Sequence, residues 1–435
     1  MTAPELRWTR VTAHLHDALA EAGGPLCTYV YDLEALRRHA AVTARSLPPG
    51  FELFYAIKAN SDLPILQTLA PIAHGFEISS GGELAWVREH FAEVPLIFSG
   101  PGKTDAELAS ALDLGVQALH VESLHELERL AWLARERGVT APVLLRVNLA
   151  IEGLQATTLM MGGKPTPFGI AGDQLPACLA WLRAHPEIRL RGFHFHLMSH
   201  QLDAAAHLRL LDAYLQQVRR WRVEYGLDTL DQVNVGGGIG VNYREPERQF
   251  DWAAFAEGLP ALSAQRDGLT VRFECGRYIT AFCGYYAMEV IDVKHAFDRA
   301  FVVACGGTHH FRTPYAQGHS HPFRVLPVDS WRYPFARPGV QAARVSVVGQ
   351  LCTPKDILAH DAPVNCVRAG DLVVFPYAGA YAWHISHHDF LRHPHPRHCY
   401  LSVEDTHAAD RGRKRLSPSP PSEPGVRFSR DGLSS

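Results

Sequence analysis

The chain has 435 residues, 47% of them hydrophobic, with 42 basic and 45 acidic side chains and a formal net charge of −3. That supplies a large core and suggests two or three domains, while the small, spread-out charge argues against a nucleic-acid footprint or a membrane-seeking patch. No apolar run is long enough to span a bilayer, the first residues lack the apolar stretch of a secretory signal, and the eight cysteines carry no CxxC pairing, so a reduced, cytoplasmic protein is expected.

Residues 27–32 read as a strand, followed by a helix from about Leu33. The next run, 53–58, is β-branched and aromatic and ends on a lysine, within Phe54-Tyr55-Ala56-Ile57-Lys58-Ala59-Asn60. A lysine at the end of an apolar run is poorly solvated. Its pKa is expected to fall, leaving the free amine that Schiff-base chemistry needs. Taken alone it reads more readily as a strand-end lysine in solvent, because Lys is seldom fully buried; the polar residues that the rest of the chain sends to the same place overturn that reading. Seven more short apolar runs follow, at 75–79, 96–99, 118–122, 143–148, 192–197, 232–235 and 269–274, with amphipathic segments such as 82–88, 105–114, 123–136 and 204–225 between them. Eight strand–helix alternations predict an α/β fold with a (β/α)8 TIM-type barrel over 33–275. A doubly wound open sheet is the alternative.

After Gly276 the pattern changes. Runs at 287–293, 300–304, 343–349 and 372–376, with turn residues between them, predict a second, mostly β domain over 276–405. The strand of the 1–32 segment is expected to pair into it. The tail, 406–435, is rich in Ser, Pro, Arg and Gly and is expected to be disordered.

In a barrel the chemistry sits at the C-terminal strand ends. Those ends carry Lys58, Glu77, Ser79, Ser80, Glu122, Arg146, Asn148, His194, His196, Gly236 to Gly238 and Glu274. Gly236-Gly237-Gly238-Ile239-Gly240 lets backbone N–H groups approach an anion, although a plain tight turn reads the same way. Its place after the seventh strand, with Gly276-Arg277-Tyr278 after the eighth, predicts a bound phosphate clamped by Arg277. Glu274 either pairs with Arg272 or Arg277, or holds a pyridine nitrogen in its protonated, electron-withdrawing form. His194 and His196 share one strand face by the period of two, and one of them is expected to stack on a ring; Phe193 and Phe195 face packing. In the second domain, Cys352 is a buried structural thiol or a proton donor. Tyr381, in Gly379-Ala380-Tyr381, is expected to bring its hydroxyl within reach of a phosphate, although a tyrosine in a turn is commonplace. His384, His387, His388, His393, His395 and His398 cluster in sequence with Cys399. Few carboxylates and several prolines favour a substrate or interface role over a metal site.

In this order the motifs resemble the fold-type III pyridoxal-phosphate decarboxylases, the group that contains ornithine, diaminopimelate and arginine decarboxylases. The resemblance runs from about residue 25 to 400 and includes Ser80-Gly81-Gly82-Glu83-Leu84, His194-Phe195-His196, Glu274-Cys275-Gly276-Arg277-Tyr278 and Gly349-Gln350-Leu351-Cys352. It implies pyridoxal 5'-phosphate as cofactor, bonded to Lys58, with His196 on the ring and Glu274 at the ring nitrogen. Ser199, Gly237, Gly238, Gly276, Arg277 and Tyr381 would bind the phosphate. It also implies a head-to-tail homodimer in which Cys352 from the second subunit returns a proton after CO2 leaves. Two departures are local: Met198 stands in His196-Leu197-Met198-Ser199-His200 where glycine is usual, and Cys275 where proline is usual.

A third departure concerns the substrate. Relatives acting on basic diamino acids carry an acid after the cysteine, whereas here Thr353-Pro354-Lys355 follows. A cation there repels a free ammonium and attracts carboxylates. With Cys352 beside it, Lys355 is expected to contact substrate, as are Arg312 and His310 in a loop that also holds His309, His319 and His321. The expected substrate is therefore an amino acid whose distal amine is masked by a polycarboxylate. This resembles the carboxylate-siderophore branch, that of staphyloferrin B assembly, and implies conversion of citryl-2,3-diaminopropionate to citryl-ethylenediamine. The alternatives are a decarboxylase of diaminopimelate or another free diamino acid, and a non-catalytic decarboxylase-like regulator. A racemase is disfavoured, because that relative places an arginine where Glu274 stands.

Overall fold

The structure, a computed structural model, describes residues 3–150 and 163–402; the 406–435 tail lies outside the described residues. The chain opens with a helix, Ala3–Ala20, and a strand, β1 (Cys27–Asp32). Asp32 then caps the helix Leu33–Arg45 by accepting the N–H of Ala35. Next come β2 (Phe51–Ala56), β3 (Gly75–Ile78), β4 (Leu96–Phe98), β5 (Ala118–Val121), β6 (Ala141–Asn148), a two-residue β7 (Ile170–Ala171), β8 (Ile188–His194), β9 (Gln232–Asn234) and β10 (Thr270–Cys275). All but β7 are the eight runs read from the sequence. They pair in parallel in the order β2-β3-β4-β5-β6-β8-β9-β10, and β10 returns to β2, which closes a barrel.

Period two sorts the side chains of each strand. Leu53 and Tyr55 of β2 face the helices and join the main core. Phe54 faces inward and packs with Ile97, Ala118 and Leu144 in a small cluster of its own, with the Arg272 guanidinium 4.7 Å from its ring centre. Outside β8, Phe195 stacks on Tyr214 of the helix Ala204–Tyr225 at 4.7 Å, and Phe193 meets Trp221 at 4.8 Å. Above the apolar plug the inward positions turn polar. That change of character along the barrel axis makes its C-terminal mouth a site.

The second unit is a sheet of β11 (Gly284–Ala296), β12 (Arg299–Ala304), β13 (Arg324–Leu326), β14 (Gly339–Val348), β15 (Ile357–Arg368), β16 (Leu372–Phe375) and β17 (Arg397–Leu401), in the order β13-β16-β11-β12-β14-β15. β1 pairs antiparallel with β11 and parallel with β17. The sequence did not announce β13, β15 or β17. β15 is an edge strand with exposed His360, Asp361 and Asn365 and a central Pro363, a composition that edge strands tolerate and central ones do not. β17 lay hidden in the histidine-rich segment. The helix Ala3–Ala20 was likewise unforeseen; Val11 and Leu15 anchor it against Val30, Tyr285 and Val374. No helix of the described residues is long and apolar enough to cross a membrane.

Candidate active site

A cavity of about 500 Å³ opens at the C-terminal mouth of the barrel, lined among others by Lys58, Glu77, His196, Glu274, Arg277 and Tyr381. Lys58 stands just past β2, in the single turn Ile57–Ala59. Its Nζ donates to Glu77 Oε1 at 2.7 Å and Oε2 at 2.8 Å, and to Ser79 Oγ at 3.2 Å. Burial opposes the ammonium, but Glu77 above all, then Tyr381 and Glu274, outweigh burial and raise the pKa above its ordinary value. The expected lowering is thus corrected. The apolar run surrounds the lysine's backbone, whereas β3 pairs beside β2 with Glu77 opposite Ala56 and sets a fully buried carboxylate against the amine. The side chain keeps 42% of its surface open, and that surface faces the cavity.

β10 lies on the other side of β2, and its inward Glu274 accepts a hydrogen bond from Asn234 Nδ2 at 2.9 Å. His120 Nδ1 is 3.4 Å away and His194 Nε2 3.6 Å. Burial, then the like charge of Glu77, pushes the carboxyl up to about 8, against the pull of Lys58 and Arg146. Glu274 pairs with neither Arg272 nor Arg277. Arg272 sits one layer deeper and donates to Glu52 and Gln232, each at 2.6 Å, and Arg277 turns to Tyr243. The two histidines of the shared face also separate by depth. His194 lies 4.1 Å from the ring of His120, beneath Glu274. His196 is nearer the mouth, where its Nδ1 accepts the N–H of Gly237 at 3.3 Å and its Nε2 lies 3.4 Å from Ser199 Oγ. Burial brings His196 down to about 3, so its ring is neutral.

The glycine loop has no room for side chains. A Cβ on Gly237 would stand 2.2 Å from the carbonyl oxygen of Glu274, and one on Gly236 2.5 Å from His196 Nδ1. Gly236 and Gly238 have φ of +69° and +85°, the region that glycine enters without strain. Met198, the departure from the usual glycine, is 5% exposed and packs into the core. The chain beyond it is pinned to the loop by Gln201 N–H to Gly238 O and Gly240 N–H to Gln201 O, both 2.8 Å, and Ser199 still lines the cavity. Arg277 donates to Tyr243 Oη at 2.9 Å and its guanidinium lies 4.5 Å from the Tyr381 ring centre. Gly276 passes so close to Ala59 that a Cβ would come within 2.9 Å of it.

An amine for an aldehyde, a buried carboxyl for a ring nitrogen, a neutral imidazole on the wall and a side-chain-free loop beside an arginine fit pyridoxal phosphate. Asn234, His120 and Tyr243 belong to this constellation and went unnoticed in the sequence. The first two occupy inward strand positions that period two could have marked. Among the described residues, the one group of three metal-type donors within 4.8 Å of one another is His120, His194 and Glu274; His194 and Glu274 line this cavity, and none of the three lies in the 384–398 segment.

Tyr381 apart, the candidates from the loops of the second domain lie elsewhere in the chain's own fold. Cys352 is exposed and does not line the large cavity. Arg312 and Lys355 line a second cavity of about 350 Å³ with Thr308, Thr353, His387 and Phe390. His310 reaches neither cavity: it is 1% exposed, with Nδ1 3.1 Å from Tyr286 Oη and 3.6 Å from Cys27 Sγ. His319 and His321 are also buried, bonded to each other at 2.9 Å, and His321 reaches the Pro376 carbonyl.

The model of the pyridoxal binding domain of pyridoxal-dependent decarboxylases matches residues 33–281. A protein of Staphylococcus aureus named 2-[(L-alanin-3-ylcarbamoyl)methyl]-2-hydroxybutanedioate decarboxylase is 41% identical over 395 residues, which cover 90% of this chain and 98% of that one. A diaminopimelate decarboxylase of Neisseria meningitidis is 30% identical over 83% of this chain and 84% of its own. Among solved structures, diaminopimelate decarboxylase from Helicobacter pylori complexed with L-lysine superposes with a TM-score of 0.76 at 25% identity, covering 92% of this chain and all of that one.

Proposed function

The chain belongs to the pyridoxal-dependent decarboxylases, and on that premise we propose that it decarboxylates citryl-2,3-diaminopropionate to citryl-ethylenediamine in siderophore biosynthesis. The observation that carries the substrate is the 41% identity, over nearly the whole of both chains, to a relative named for an amide of citrate with 3-aminoalanine. The cations Arg312 and Lys355 beside one cavity agree with it. An acyl group of that kind brings carboxylates where a free diamino acid brings an ammonium.

When bound, pyridoxal phosphate supplies the electron sink that lets the α-carboxylate depart as CO2. The protein's part is to hold, orient and move protons. Lys58 bonds the cofactor and Glu77 governs its proton. Glu274 keeps a proton at the ring nitrogen, with Asn234 fixing the carboxyl. His196 covers one ring face as a neutral imidazole. Gly237, Gly238, Ser199, Gly276, Arg277 and Tyr381 hold the phosphate. Cys352, brought in by a second copy of the chain, returns a proton to the carbon that lost CO2. The exposure of its thiol outside its own chain's cavity supports a homodimer with sites at the interface. Eight free cysteines suit a cytoplasmic setting.

The test is mass spectrometry of products after the purified enzyme meets citryl-2,3-diaminopropionate, ornithine, lysine and meso-diaminopimelate separately. The expected product is citryl-ethylenediamine with CO2. Faster turnover of any free diamino acid would overturn the substrate. No CO2 from any of them, with the cofactor bound, would favour the regulator.

A further inference from the structure

Two loops of the second domain carry the groups assigned above to proton return and carboxylate recognition. Cys352 and Lys355 lie between β14 and β15, and Thr308 and Arg312 follow β12. Asp356 joins the two. Its side chain is 2% exposed. Oδ1 accepts the Thr308 N–H at 2.6 Å and the Thr308 hydroxyl at 2.9 Å, while Oδ2 accepts the N–H of Leu351, the residue before Cys352, at 2.8 Å. The backbone repeats the clasp: Gly349 N–H donates to Asp356 O at 3.1 Å, and Gln350 N–H to Gly306 O at 2.8 Å. Gly306 N–H returns a bond to Gln350 Oε1 at 2.9 Å.

The clasp is closed on every side. A Cβ on Gly307 would stand 2.5 Å from Asp356 Oδ1, and one on Gly349 2.4 Å from Oδ2. Among the described residues no Lys or Arg forms an ion pair with Asp356. A buried carboxylate without a cation depends on its hydrogen-bond donors, and here those donors belong to the two loops it joins. Each is next to a working group. Leu351 precedes the thiol, and Thr308 lines the cavity of Arg312 and Lys355.

We infer that Asp356 is a positioning residue: one buried carboxylate fixes the spacing between the Cys352 thiol and the cationic cavity, and thereby directs the returning proton to the substrate carbon. The inference rests on the proposed function, in which Cys352 is the donor. In the productive outcome the thiol's proton takes the position that CO2 vacated, and the amine leaves. With the thiol displaced, a proton from water adds to the cofactor's own carbon instead. Hydrolysis then releases the substrate as an aldehyde and leaves its nitrogen on the cofactor. One amino acid and one pyridoxal phosphate thus become one CO2, one aldehyde and one pyridoxamine phosphate, with atoms and electrons balanced.

The experiment uses holoenzyme and measures the aldehyde-to-amine ratio for wild type, Cys352→Ala, Asp356→Ala and Asp356→Asn. Amide hydrogen exchange of residues 306–308 and 349–353 is the second readout. Displacing a reacting group by ~1 Å can cost ~100-fold in rate. The aldehyde fraction is therefore expected to rise about tenfold or more in Cys352→Ala and Asp356→Ala. Asp356→Asn, which keeps one acceptor oxygen, should fall between Asp356→Ala and wild type. Exchange at Leu351 should rise in both Asp356 variants, exchange at Thr308 should rise in Asp356→Ala, and both should stay unchanged in Cys352→Ala. A wild-type ratio in Asp356→Ala, with Cys352→Ala raised, would overturn the positioning role and leave the proposed function standing. A wild-type ratio in Cys352→Ala would remove the donor assignment and this inference with it. Should Asp356→Ala not fold, Asp356→Asn decides: faster Leu351 exchange with a wild-type ratio overturns the inference.

Discussion

A lysine that is to bond an aldehyde must first give up a proton, and Glu77, at 2.7 and 2.8 Å, keeps that proton in place. The ion pair stores the lysine in its unreactive form until something neutralises or displaces the carboxylate. An opposite charge at this range shifts a pKa by about 1–3 units. Glu77→Gln removes it and leaves burial, which favours the neutral amine, against the smaller pulls of Tyr381 and Glu274. The pH midpoint for cofactor uptake by cofactor-free protein, followed by visible absorbance, is therefore expected to fall by about one unit or more. An unchanged midpoint would show that Glu77 does not control the amine. The run around Lys58 gave the lysine's place in the fold. Its charge state came from a neighbouring strand, because electrostatics acts through space between side chains 19 positions apart.

The glycine loop shows the same division at the scale of an element. Three glycines in a row mark a turn, and their place after the seventh strand predicts an anion site. Why glycine is required at each position is a matter of what faces it. At Gly237 the limit is the backbone of β10, since a Cβ there would meet the Glu274 carbonyl oxygen at 2.2 Å. A backbone oxygen cannot rotate away as a flexible side chain can. Overpacking of this kind costs about 1–3 kcal/mol. Gly237→Ala should therefore weaken cofactor retention by about tenfold to hundredfold, as measured by absorbance titration, and leave the barrel folded. Retention equal to wild type would mean that the loop does not cradle the phosphate. β15 and β17 mark the limit of reading elements from pattern. Edge position hid β15, which pairs with the strand just before it, β14, and histidine content hid β17, whose partner β1 is remote in sequence.

At the scale of the whole molecule, one chain holds a cavity that lacks its proposed proton donor, and an exposed thiol beside a second cavity. In the proposed dimer, each site combines Lys58 of one copy with Cys352 of the other. Mixing Lys58→Ala and Cys352→Ala chains, each deficient in amine formation, should then restore about a quarter of the wild-type rate of amine formation, because random pairing in a two-fold dimer makes half the dimers hybrids with one intact site each. No recovery after subunit exchange would mean that each site is built within a single chain.

The order of short apolar runs and helices was sufficient for the barrel, because parallel strands buried on both faces leave a local signature of length and composition. Period two told which histidine and phenylalanine positions share a face, for the same local reason. Depth within the barrel was beyond it: His194 under Glu274, His196 near the mouth and Arg272 in the layer below all follow from strand register around a closed sheet. So does the burial of His310 against Tyr286 and Cys27, which a loop of histidines and an arginine concealed. Sequence carries the periodicity of a single element; the protonation and reach of a side chain are set by neighbours that only closure of the sheet brings within a few ångströms.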